Sequence, residues 1–199
     1  MSHIKHDSFV STFGMQMQKL DKLGCPKEVL LVLAEKCSKL WEEVRKINIP
    51  EIREEYYSFI PVIPLGLVPI EKQLGWIGID EQKGIPDSIH YEFGESVEPY
   101  FITSVFAGNE YVGASQFTAQ KDILRKKRFP LSDIEMIALC LFIDKQIFGK
   151  QIEALGVRYF SENILQVPWV DQRMTYFGWS EFSKSWTKSN FPSRGKIIV

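Results

Sequence analysis

At 199 residues, 45% of them hydrophobic and 25% charged, the chain has the size and composition to bury a core without disulfide or metal staples. A formal charge of −1 excludes the global positive excess that holds nucleic acid or anionic lipid, and three widely spaced cysteines make no disulfide framework. The start of the chain lacks the apolar core of a secretory signal, and the most apolar stretch, residues 59–70, is broken by Pro61, Pro64 and Pro69; the expectation is a cytoplasmic protein without a membrane span.

Asp7 or Ser8 can cap a first helix over residues 8–23, in which Phe9, Phe13, Met17 and Leu20 recur at helical spacing and Gly24 is the stop. Pro26 suits the first turn of a second helix, whose stripe of Leu30, Leu33, Cys37, Leu40, Trp41 and Val44 runs on to Lys46. Residues 1–48 thus read as a helical hairpin packed on the rest. The periodicity changes after Pro50, and residues 55–199 read as an α+β domain. Strands are predicted over 56–63, 74–79, 89–93 and 100–106, the last apolar on both faces and therefore central.

Gly108-Asn109 signals a hairpin into residues 111–115. A helix after Thr118 ends in the basic run at Arg128. Ser132 and Glu135 then form a capping box, with Ile134, Ile137, Ala138, Leu141 and Phe142 on the apolar side behind it. Three strands, over 155–160, 164–170 and 173–179, end the chain as a meander. The predicted class is α+β: an N-terminal helical hairpin packed with an antiparallel or mixed sheet, two further helices and a C-terminal three-stranded meander.

The meander allows a register argument. If Phe160 opposes Ile164 and Val170 opposes Arg173 across an Asp171-Gln172 turn, one face carries Leu155, Val157, Tyr159, Leu165, Val167, Trp169, Met174 and Tyr176 and is core. The other face carries Arg158, Gln166, Arg173, Phe177 and Trp179. A cation and an amide beside large aromatic rings suit a small anionic or planar ligand, or a protein partner, through charge-assisted hydrogen bonds and stacking. The plainer reading is a face half covered by a helix with Arg158 snorkelling, and Pro168 in a middle strand implies a bulge or an edge.

Other polar features carry less. His3 and His6 offer two ligands at a chain terminus, which do not close a metal site, so no metal and no cofactor is expected. Cys140 lies in an apolar helical pattern and reads as core. Asp133 and Glu135 fall in a first helical turn, where carboxylates suit the dipole and the cap. The run Lys121, Arg125, Lys126, Lys127 and Arg128 sits at a helix C-terminus, where cations are favoured anyway, and nucleic acid is disfavoured as a partner. No phosphate loop, dinucleotide fingerprint, HExxH, CxxC or GxSxG motif is present.

From Tyr57 onward, SFIPVIPLGLVP at 58–69, EPYFITSV at 98–105, RFPLSDIEMIAL at 128–139, ALGVRY at 154–159, VPWV at 167–170 and FGW at 177–179 occur in an order that resembles an uncharacterised bacterial family, a domain of unknown function. The resemblance implies a shared fold and brings no activity, cofactor or catalytic residue. The function expected from the residues is that of a ligand- or protein-binding or regulatory protein acting through Arg158, Gln166, Phe177 and Trp179. The alternatives are an enzyme of unfamiliar type with Arg158, Asp171 and His90 in one pocket, and a module that homodimerises through exposed aromatics.

Overall fold

The structure, a computed structural model, describes residues 2–49, 56–82, 86, 88–94, 96–143, 151–161, 164–171, 173–182 and 189–199. In chain order its elements are β1 (Ser2–His3), α1 (His6–Lys22), α2 (Lys27–Glu35), α3 (Cys37–Val44), β2 (Asn48–Ile49), β3 (Tyr56–Val62), α4 (Ile70–Trp76), β4 (Glu81–Gln82), β5 (Ser88–Tyr91) and β6 (Tyr100–Phe106). There follow α5 (Gln116–Arg125), β7 (Phe129–Pro130), α6 (Asp133–Phe142), β8 (Ile152–Glu153), β9 (Val157–Ser161), β10 (Ile164–Asp171), β11 (Tyr176–Glu181), β12 (Ser193–Arg194) and β13 (Ile197–Ile198). The class is α+β.

Two larger sheets carry the fold. In one, β6 is central, pairing with β3 through six residue pairs and with β12 and β13, while β7 adds to β12. In the other the order is β4-β11-β10-β9-β5, antiparallel except for the two-residue β4–β11 pair, with β8 added to β10. The apolar run from Tyr100 to Phe106 is central because neighbours cover it on both sides: Tyr100, Phe101, Ile102 and Val105 are all buried.

Helix α6 joins the two sheets. Ser132 accepts from the Glu135 N–H while the Glu135 carboxylate accepts from the Ser132 N–H, so the predicted capping box is formed. Both first-turn carboxylates are also fully buried. Tyr159 of β9 donates to Asp133 at 2.6 Å, and Arg194 of β12 donates to Glu135 at 2.7 Å. Burial pushes both carboxyls up; Tyr159 partly offsets this at Asp133 and Arg194 does so at Glu135. Cys140 lies on the same helix, 3% exposed, and burial pushes its thiol up to about 12, as a core residue requires.

The N-terminal helices pack on the same core: Phe9, Leu20, Leu33, Leu40 and Val44 join Phe59, Ile60 and Phe101 in one apolar cluster. The single predicted second helix breaks at Lys36 into α2 and α3. The first residues are tied down as well, Ser2 pairing with Ile49. The predicted boundary at 49–54 lies almost wholly outside the described residues.

Three local expectations differ. Residues 74–79, predicted as a strand, are the last three residues of α4, which starts after Pro69, and the turn that follows it; Gln73 on its inner face donates to the carbonyls of Ile63 and Val68. Gly108 makes no hairpin. Its φ of 88° opens a 3-10 turn, and a Cβ there would lie 2.3 Å from the Phe191 backbone, so the glycine serves a close chain approach. Helix α5 is capped by Ser115, which accepts from the Thr118 N–H, and stops with Lys127 in the left-handed region at φ 56°, where a glycine would be the usual choice.

The meander forms, in a different register. Ser161, not Phe160, opposes Ile164, and Asp171 opposes Tyr176. The first difference is one residue and inverts β9 relative to β10. The second is four residues and leaves the facing of β10 and β11 unchanged. Its cause is Asp171, whose carboxylate accepts from the N–H groups of Arg173 and Met174 and builds a wider turn. Gln172 lies outside the described residues. Pro168 falls between the β9 pairing, which ends at Gln166, and the β8 pairing, which begins at Trp169.

Candidate functional site

The observed register separates the residues the sequence had placed on one face. Gln166, Phe177 and Trp179 share a face with Val157 and Tyr159, against the main core: Phe177 and Trp179 are buried, and the Trp179 ring meets Tyr159 edge-on at 5.5 Å. Arg158 lies on the opposite face. It is 4% exposed, donates to the carbonyls of Leu155 and Val157, sits 3.0 Å from the Glu92 carboxylate and lies under the Phe182 ring at 4.3 Å. Burial lowers its pKa and Glu92 works against that shift. Its charge and its flat face are already engaged.

Arg173 stands apart from both, exposed at the β10–β11 turn and paired with Asp171 at 2.9 Å. Burial raises the Asp171 carboxyl, but Arg173 and the two turn N–H groups more than offset it and hold it below its ordinary value. His90 is opposite Arg158 across β5 and β9 and exposed. Asp171 lies four residues along β10 from the position level with Arg158, about 13 Å away at strand rise, so the three polar groups of the enzyme reading do not converge.

Three of the five cations of the basic run are internally satisfied. Arg125 pairs with Asp122, Lys126 with Glu110 and Asp122, and Arg128 runs inward to the Ser104 carbonyl and Ser193 beneath the Phe106 ring. Among the described residues no group of three His, Cys, Asp or Glu side chains is placed to hold a metal ion, and none of the helices is long and apolar enough to cross a membrane.

Unsatisfied surface lies instead around α2. This helix carries six consecutive apolar residues, Val29 to Ala34, but buries only Val29 and Leu33. A helix apolar on all sides is ordinarily covered on all sides. Here Leu31 is 65% exposed, and α2 stands as a ridge between two grooves. One, of about 380 Å³, runs between α1 and α2 past Met17, Leu30, Leu31 and Ala34.

The other, of about 410 Å³, is lined by the apolar Val29, Val32, Leu67, Val97 and Pro99 and edged by Glu28, Glu35, Glu98 and Lys36. Lys36 is fixed across it, donating to the Pro99 carbonyl at 2.6 Å and pairing with Glu98 at 3.2 Å. Glu28 and Glu35 make no ion pair among the described residues. Hydrogen bonds brace the walls: Ser96 donates to the Glu98 carbonyl and accepts from the Glu98 N–H, and Gln73 pins the turn that presents Leu67. Val97 reaches 86% exposure on this frame.

The result is an apolar trough with a net negative rim, suited to a ligand that is itself apolar and cationic. The sequence held one signal for it. The stripe from Leu30 to Val44, with Val29, accounts for one buried face, and Leu31, Val32 and Ala34 are apolar beyond what that face needs.

The chain matches no family model, and searches of curated proteins and of solved structures return no match. The resemblance to an uncharacterised bacterial family rests on its short motifs alone.

Proposed function

We propose that this chain is a binding protein whose site is the acidic apolar groove beside α2, and that its ligand is a basic amphipathic helical segment of a protein. The observation that carries the reading is the pairing of an apolar floor with two glutamates, Glu28 and Glu35, that have no ion-pair partner among the described residues. An amphipathic helix seats its apolar face in such a groove and sets its cations against the rim. The expected role as a binding or regulatory protein is kept. Its site moves from the meander to α2, because Arg158 is neutralised by Glu92 while Glu28 and Glu35 have no ion-pair partner among the described residues.

A fluorescein-labelled amphipathic helical peptide of leucine and lysine tests this by anisotropy. Binding is expected at low ionic strength, weakening as salt screens the rim, and lost in Val32→Asp. Absence of binding at low ionic strength, or equal binding by Val32→Asp, would overturn the proposal.

A further inference from the structure

The natural occupant of the groove has a candidate within the chain itself. Helix α5 buries Gln116, Ala119 and Ile123 and turns the other way with Phe117, 65% exposed, and Leu124, 42% exposed. These two are seven residues apart, on one side of the helix, and Lys121 lies between them. Lys121 and Lys127 make no ion pair among the described residues, unlike Arg125 and Lys126 beside them. The outer side of α5 is therefore the kind of surface the groove fits: apolar anchors with free positive charge.

The dimensions agree as well. Glu28 and Glu35 are also seven residues apart, so rim and anchors each extend over two helical turns, about 10.5 Å. With a net charge of −1, one copy meets little overall repulsion from another.

We infer that the α5 face of one copy docks in the α2 groove of a second copy, a reading that rests on the groove being a site for a basic amphipathic helix. The two surfaces differ, so the contact is heterologous. A copy that inserts its α5 still has an empty groove, and association continues beyond a pair unless the rotation closes a ring.

Sedimentation velocity on the full chain tests the inference. At low ionic strength the weight-average sedimentation coefficient should rise with protein concentration, and high salt should return it to the monomer value. Phe117→Asp removes the insert and Glu35→Lys damages the groove. Both positions are exposed, so each variant should retain the wild-type circular dichroism and melting temperature yet remain monomeric. Mixed together, they should form a 1:1 complex that grows no further, because the intact groove of Phe117→Asp accepts the intact α5 of Glu35→Lys.

A wild-type chain that stays monomeric at low ionic strength, a Phe117→Asp variant that still self-associates, or a mixture that gives no complex would each overturn the inference. Should the wild type stay monomeric while the leucine–lysine peptide still binds, the groove proposal stands and self-docking falls. Should neither occur, both fall.

Discussion

Arg158 in the meander and Glu28 and Glu35 on α2 are charges with opposite fates. The guanidinium is almost fully buried and engages a carboxylate, two carbonyls and an aromatic ring. The two glutamates border an apolar trough and engage nothing comparable among the described residues. A conspicuous charge among aromatics, as in the meander, can be wholly structural, whereas an ordinary-looking helix with more apolar residues than its core contacts need can hold the open site. What marks a binding surface is interaction capacity left unused after folding.

The contrast is sharpest within α2 itself. Leu33 is wholly buried while Leu31, two residues earlier, is 65% exposed. Leu33→Ala should cost about 3 kcal/mol in urea unfolding, as cavity-forming core substitutions do. A loss within the surface range, about 0.5 kcal/mol, would mean that α2 is not docked as described.

Arg158→Ala is next in size. It removes the partner of Glu92, which is a quarter exposed and so partly rehydrated, and an expected loss of about 2 kcal/mol falls below the range for a fully enclosed pair. An unchanged denaturation midpoint would reopen the sheet face as a site of unused charge.

Asp133→Asn acts on pH dependence. Burial raises the folded-state pKa of Asp133 above its unfolded value, so the folded chain holds the proton longer and stability falls as pH rises from the ordinary carboxylate pKa up through the raised one. Asn removes that titration, and urea midpoints across this window should decline less steeply than in the wild type. An identical slope would show that the Asp133 carboxyl does not contribute.

Leu31→Ser should have the smallest effect on stability, within about 0.5 kcal/mol. It should still remove apolar surface from the α1–α2 side of the ridge. A large loss would place Leu31 inside the core and erase the comparison.

Much of the fold was legible because local chemistry dictated it. The Ser132–Glu135 cap, the doubly apolar strand from Tyr100 and the Leu20, Leu33 and Val44 contacts follow from periodicity and capping. What escaped was set at longer range. A one-residue difference at Ser161 left Tyr159 facing the core and Arg158 facing away as expected, but turned β10 and β11 over, so that Gln166, Phe177 and Trp179 joined the Tyr159 face. Nothing local in β10 distinguishes the two registers, since Leu165, Val167 and Trp169 on one face and Ile164, Pro168 and Val170 on the other are all apolar. Lys36, where α2 gives way to α3, reaches across more than sixty positions to Glu98 and Pro99, and Gly108 packs against the Phe191 backbone, contacts that no local pattern announces. The groove was half legible: the surplus apolar residues of α2 stand in the sequence, but Leu67 and Val97 arrive only through the tertiary fold.

The most direct measurement sets the two regions against each other. The leucine–lysine peptide is titrated, at low ionic strength, into the wild type, into Arg158→Ala and into a double variant carrying Glu28→Lys and Glu35→Lys. The account predicts equal binding by the wild type and Arg158→Ala and no binding by the double variant. Loss of binding in Arg158→Ala with retention in the double variant would contradict it and return the site to the meander.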